Sequence, residues 1–211
     1  MRFYFYTTPV WLKKLYRSLD WTIQDAKSNQ IYLTFDDGPV PGATTTVLDI
    51  LRSHNAKATF FVVGENVRKH PQLLRDVGSE GHQIGNHTFN HVKGWGNSVS
   101  DYISQVDACD QIIEATLGKA SGLFRPPYGR ITFAQARAVS QSHKVIMWQI
   151  LSGDFDPGLN VKTSLQALRR AKGGDILVFH DSQKYIKNVE ILLPAVLDYF
   201  GERGYAFEVI N

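Results

Sequence analysis

The chain holds a single cysteine, Cys109, in 211 residues, so no internal disulfide can brace it. Cys109 lies in VDACDQII, a helical pattern, and reads as a small buried hydrophobe rather than a reactive thiol. No run of about 18 apolar residues occurs, which argues against a transmembrane helix. The opening MRFYFYTTPVWLKKLYRSLDW lacks the roughly 7–15-residue apolar core of a secretion signal. A cytoplasmic or membrane-surface location is therefore expected. Blocks of like charge are missing and the formal net charge is only +3. Phosphate binding usually shows as a basic stripe, so no nucleic-acid partner is expected. No repeat or low-complexity segment is visible, and no G-x-G-x-x-G follows the first apolar run, which removes the usual mark of a dinucleotide fold.

What is present is an ordinary globular composition, 43% hydrophobic and 20% charged, in a chain long enough for one domain with a large core. Seven apolar, β-branched or aromatic runs recur: IYLTFD (31–36), ATFFVV (58–63), HQIGNH (82–87), GLFRPP (122–127), KVIMWQI (144–150), DILVFH (175–180) and YAFEVI (205–210). Most are separated by helical patterns with apolar residues at i, i+3, i+4, as in TTVLDILRSH or SDYISQVDACDQIIEATLG, and several close on glycine. Strands alternating with helices imply βαβ units and a parallel sheet covered on both faces. An α/β barrel of seven units is the preferred architecture, over an open doubly wound sheet.

Residues 1–29 read as an N-terminal extension ahead of the domain at 30–211. Trp11, Leu12, Leu15, Tyr16 and Leu19 fall at helical spacing, with Lys13, Lys14 and Arg17 among them. Such a helix either packs on the body of the domain or lies on an anionic membrane surface through residues 11–21.

The reactive side chains cluster at the C-terminal ends of the predicted strands. Asp36 and Asp37 end the first, His87 and His91 follow the third, and Arg125 and Tyr128 follow the fourth. Asp154 follows the fifth and His180 ends the sixth. Parallel α/β barrels build their active sites at that rim. In H-T-F-N-H the two imidazoles, four residues apart on a helical turn, share one face and can converge on one ion. Two imidazoles, a carboxylate and open positions describe a catalytic zinc site, though iron or another divalent ion could use the same triad. Adjacent strand residues point to opposite faces, but Gly38 and Pro39 end the pleat, so Asp36 and Asp37 can be aimed at one cavity. One would bind the metal and the other would act as a base. His82 reads as a core histidine, whereas His54, His70 and His143 read as surface residues. Trp95 either lines a sugar groove or packs as a loop aromatic.

TFDDG, HTFNH, RPPY and VFHD, in this order, resemble the polysaccharide deacetylases of the NodB-homology type, carbohydrate esterase family 4, over about residues 30–211. The resemblance implies a distorted, TIM-like (β/α)7 barrel. It implies a metal-dependent hydrolase that removes N- or O-acetyl groups from sugars, with Zn2+ as the commonest ion and Co2+, Mn2+ or Ni2+ as alternatives. Carried over, it makes Asp36 the base and Asp37, His87 and His91 the metal ligands. Arg125 would orient Asp36, the Tyr128 N–H would serve the oxyanion, His180 would be the acid and Asp154 would tune it. Val178, Pro126, Phe155 and Trp95 would shape the substrate pocket.

The chain departs from the family pattern in three places. Phe155 follows Asp154 where tryptophan is usual, Leu151 replaces an aspartate, and Val178 stands where leucine is usual. These changes bear on substrate choice more than on chemistry. An acetylated, N-acetylglucosamine-containing glycan is the expected partner. The alternatives are a small non-sugar amide as substrate, or an inactive sugar-binding module.

Overall fold

The computed structural model describes residues 4–211. Its eight strands are β1 (Gln30–Asp36), β2 (Ala58–Val62), β3 (Gln83–Asn86), β4 (Leu123–Phe124), β5 (Lys144–Val145), β6 (Ile150–Leu151), β7 (Ile176–His180) and β8 (Ala206–Phe207). They form one sheet in the order β5-β4-β3-β2-β1-β7-β6, with β8 beside the start of β1. Every pairing between these strands is parallel. All of β2 and all but the first residue of β1 are buried, which is why these strands read as unbroken apolar runs. Helices α2 (Ala43–Ser53), α5 (Val99–Leu117), α7 (Val161–Leu168) and α8 (Ile186–Gly201) are among those that supply the outer layer. Their apolar stripes join β1, β2 and β7 in one main core that includes Val47, Cys109, Leu168 and Val196. Burial pushes the Cys109 thiol up to about 12, so it is an inert core residue.

The expected strand over 144–150 is interrupted. β5 stops at Val145 and β6 starts at Ile150 because the intervening carbonyls have another partner. Arg125 Nε donates to the Ile146 carbonyl at 3.2 Å, and Arg125 Nη2 donates to that of Met147 at 2.9 Å. β4 is likewise cut short, since the prolines after Arg125 have no N–H to give a ladder.

The N-terminal segment covers the open side between β5 and β6. Leu151 N–H donates to Tyr6 O at 2.8 Å and Thr8 N–H to Gln149 O at 2.9 Å. Further on, Asp20 N–H donates to Val145 O at 3.0 Å, and Met147 N–H returns a bond to Asp20 O at 2.7 Å. Both free edges of the sheet are thereby paired, which removes a template for aggregation. The expected helix is short: α1 spans Val10–Leu15 only. Its apolar residues are divided, Leu12 and Tyr16 packing with Leu19 and Trp21 on the core beneath while Val10, Trp11 and Leu15 stay exposed.

His143, expected at the surface, is buried with its Nε2 3.0 Å from an Asp110 oxygen. α5 carries Asp110 inward, where it also accepts from Asn86 Nδ2 at 2.8 Å. His82 is a core histidine, accepting from Ala58 N–H at 3.2 Å. Burial, then the neighbouring Lys57 charge, pushes its imidazole down to about 4. The unfolded chain binds that proton near the ordinary value of about 6.5, so the stabilising contribution is full above about 6.5 and is lost as pH falls toward 4. Urea unfolding should show wild type losing roughly 2–3 kcal/mol more than His82→Gln between about pH 7 and about pH 4.5. Equal losses in the two proteins would remove His82 as the cause.

Candidate active site

The first strand leaves its pleat after Asp36. Asp37 has a φ of 85°, so both carboxylates reach one cavity, as the Gly38–Pro39 signal implied. The turn is braced from behind: Gly38 N–H donates to Asp181 Oδ1 at 2.9 Å, Thr44 Oγ1 donates to Asp181 Oδ2 at 2.5 Å, and Asn66 Nδ2 donates to Asp37 O at 2.7 Å. A Cβ at Gly38 would overlap the Asp181 carboxylate, so only glycine fits there. Asp181 is fully buried, and burial pushes its carboxyl up to about 8. It stands in the V-F-H-D motif, yet no role was expected for it; an acid immediately after a strand-end histidine was the available signal.

His87 and His91 converge, but not on a helical turn. The segment after β3 is irregular, with Thr88 at φ 64° and His91 at φ 54°. Asn86 Oδ1 accepts from Thr88 N–H at 2.8 Å and so holds the first of these conformations. His87 Nδ1 lies 2.7 Å from the Arg125 carbonyl, which makes Nδ1 the protonated nitrogen and leaves the Nε2 lone pair free for an ion. Burial pushes His87 down to about 4, keeping it a neutral ligand.

Nε2 of His87 is 3.9 Å and Nε2 of His91 3.1 Å from Asp37 Oδ1. Burial alone would raise the Asp37 carboxyl, but the hydrogen bond from His91 and the charges of His180 and His91 hold it below the usual carboxylate range. Ligand atoms of all three lie within 4.8 Å of one another. Neighbouring ligands of a tetrahedral zinc, at bond lengths of about 2.0–2.2 Å, sit roughly 3.3 Å apart. The donor set and its spacing fit a divalent ion.

Arg125 is fully buried, with Nη1 2.8 Å from Asp36 Oδ1 and 2.6 Å from Thr34 Oγ1. At the end of β7, His180 is held twice by Asp154: its backbone N–H donates to Oδ2 at 2.7 Å and its Nδ1 to Oδ1 at 2.8 Å. Burial would lower the His180 pKa, but the Asp154 charge and hydrogen bond, then Asp37 and Asp36, raise it to about 10. Asp36 and His180 are register partners on adjacent strands, so their side chains emerge on the same face.

Asp36, Asp37, His87, His91 and His180 line one cavity of about 1170 Å3, which also takes in Tyr128, Val178 and Phe155, while Arg125 and Asp154 are buried behind them. Tyr128 has φ 60°, and its N–H donates to no group among the described residues. Two expected pocket residues lie outside the cavity. Pro126 is buried behind it, and Trp95 turns away, its Nε1 3.4 Å from Ile131 O and its ring under the Arg130 guanidinium. Trp148 and Tyr4, absent from the expected set, do line it.

The fold and this rim define a parallel α/β barrel in which Asp37, His87 and His91, a set able to hold a divalent ion, lie beside Asp36 and His180. The chain belongs to the polysaccharide deacetylase family, whose sequence profile matches residues 23–146. It is 34% identical over 187 residues to the peptidoglycan-N-acetylglucosamine deacetylase of Bacillus cereus, covering 86% of each chain. Against the longer peptidoglycan-N-acetylglucosamine deacetylase PgdA of Listeria monocytogenes, identity is 32%, over 90% of this chain and 40% of that one. The solved structure of the Bc1960 peptidoglycan N-acetylglucosamine deacetylase superposes with a TM-score of 0.86 and 27% identity, over 96% of this chain and 95% of the other. The fold is thus the distorted (β/α)7 barrel of that family.

Asp181 touches no ligand side chain, so its effect on the ion runs through the Asp37 turn. Asp181→Ala is expected to weaken zinc binding about 10–100-fold in a competition titration with a chelating dye. Unchanged affinity in a folded variant would make the brace irrelevant to the triad.

Proposed function

We propose that this protein is a metal-dependent deacetylase of N-acetylated sugars in a glycan, with N-acetylglucosamine units of the kind found in peptidoglycan as substrate. The observation that carries this is the pairing of Asp36 and His180 across neighbouring strands, both beside the Asp37, His87 and His91 triad. Asp37, His87 and His91 would hold the divalent ion, and their mixed oxygen and imidazole donors suit zinc, with cobalt, manganese and nickel as alternatives. When bound, such an ion polarises the acetyl carbonyl and makes water acidic enough to attack near neutral pH.

The rest is the work of the chain. Asp36, aimed by the Arg125 guanidinium, takes the proton from the attacking water. The Tyr128 N–H donates to the oxygen that becomes negative as the carbonyl carbon turns tetrahedral. His180 gives its Nε2 proton to the sugar nitrogen as the carbon–nitrogen bond breaks, so an amine and acetate leave rather than an amide anion. Asp154 keeps that imidazole charged and oriented. Val178 and Phe155 present apolar surface to the acetyl methyl.

Acetate release from N-acetylglucosamine oligomers by metal-stripped protein should return on adding zinc or cobalt. Asp36→Asn, which keeps an oxygen for Arg125, should bind the ion but lose about 10²–10⁴-fold in rate. Metal-loaded wild type that releases no acetate from any acetylated glucosamine oligomer would overturn the reading. His180 must be protonated to act, so activity falls as pH rises past its pKa. Asp154→Asn removes the main raising influence and should move the alkaline limb of the kcat profile to lower pH; an unmoved limb would separate Asp154 from the acid.

A further inference from the structure

Exposed large hydrophobics gather on one side of the molecule. In α1, Val10, Trp11 and Leu15 are 66%, 61% and 53% exposed, and Phe133 and Trp95 are 58% and 52% exposed. Two shared contacts make these neighbours. The Tyr16 hydroxyl and Trp95 Nε1 both donate to Ile131 O, at 3.0 and 3.4 Å. The Phe133 ring stacks on Tyr16 at 4.5 Å between centroids. Helical spacing puts Val10, Trp11, Lys14 and Leu15 on one face, while Leu12 and Tyr16 turn inward.

Basic side chains border this patch. Lys14 and Arg17 are exposed on the segment, and Arg130 lies 5.3 Å over the Trp95 ring. No acid precedes Asp20 in the chain. Lys13 is turned inward, donating to the Gln149 side chain. The patch also borders the catalytic cavity, whose rim includes Pro9, Leu12 and Arg130.

We propose that this surface seats the protein on an anionic lipid bilayer, with α1 in the headgroup layer and the cavity opening beside it. A tryptophan among aliphatic side chains, flanked by lysine and arginine, suits the membrane interface. Val10 and Leu15 offer no flat face to stack on a pyranose, which favours lipid over a second glycan subsite. No described helix is long and apolar enough to cross a membrane, and the contact proposed for α1 lies at headgroup depth. That the cavity meets a glycan held at the bilayer rests on the deacetylase reading; the lipid contact does not.

The test is sedimentation of the full chain with phosphatidylglycerol vesicles and with phosphatidylcholine vesicles, at low and high salt. Binding is expected to the anionic vesicles and to weaken with salt. Lys14→Glu with Arg17→Glu should lower affinity by about fivefold or more per residue. Trp11→Ser with Leu15→Ser should abolish sedimentation yet leave zinc-dependent acetate release from soluble oligomers unchanged, since neither residue lines the cavity. Wild type that stays in the supernatant, or variants that bind as well as wild type, would overturn the proposal. So would equal binding to phosphatidylcholine, or a size-exclusion shift showing that the patch pairs two copies of the chain instead. Loss of vesicle binding and loss of acetate release are read separately, so either conclusion can fail alone.

Discussion

The structure turns on one buried cation. Arg125 is wholly enclosed, and a guanidinium out of water is tolerated only where charge and hydrogen bonds replace the solvent. Its donors reach Asp36, Thr34 and the carbonyls of Ile146 and Met147, and its face lies 4.1 Å from the Phe61 ring centroid. Phe61 lies there because Gly85, its neighbour across β2 and β3, leaves room for the ring. The Arg125 carbonyl accepts from His87 Nδ1. One side chain and one carbonyl therefore aim the Asp36 carboxylate and fix the tautomer of His87. Those bonds also explain the gap between β5 and β6, since the carbonyls that satisfy Arg125 are withdrawn from the ladder.

Around this anchor the backbone is held in unfavourable conformations. Among non-glycine residues with positive φ, Asp37, Thr88, His91 and Tyr128 all lie at the site. Each such residue costs of order 1–3 kcal/mol unless its surroundings impose it. The surroundings are visible: Asp181 and Asn66 hold the Asp37 turn, and Asn86 holds Thr88. Asn86 is itself tied to Asp110, which pairs with His143. A polar network behind β3 thus reaches the loop that carries His87 and His91.

Much of this was legible in the residues. Strand-end carboxylates, imidazoles and an arginine are rare in apolar runs, and a parallel barrel collects strand ends on one rim, so type and position together located the site. The shape of the H-T-F-N-H turn was not legible, because spacing of four fits a helix equally well and only the Asn86 bond selects the alternative. The break at 146–149 was hidden for a similar reason: its cause is a guanidinium some twenty residues earlier. His143 misled because its partner arrives from another helix, and Trp95 because proximity to a ligand loop in sequence says nothing of the direction in which a ring points.

The wall of the cavity raises a different matter. Phe155 stands where the family pattern has a larger ring, and the ring of Tyr4 packs edge-on against it at 4.9 Å between centroids. Gly153, at φ 76°, leaves the space that Tyr4 and Tyr6 enter, and the Tyr6 carbonyl is bonded to Leu151. Two of the three departures from the family pattern therefore meet Tyr4 and Tyr6, which precede the matched profile. Phe155 also packs edge-on against His180 at 5.5 Å, so whatever shifts the segment shifts the wall beside the acid. A segment that pairs both free sheet edges is rigid enough to serve as that wall. The machinery for breaking an amide sits on the barrel strands, whereas part of the surface that would select the sugar comes from residues ahead of the first strand.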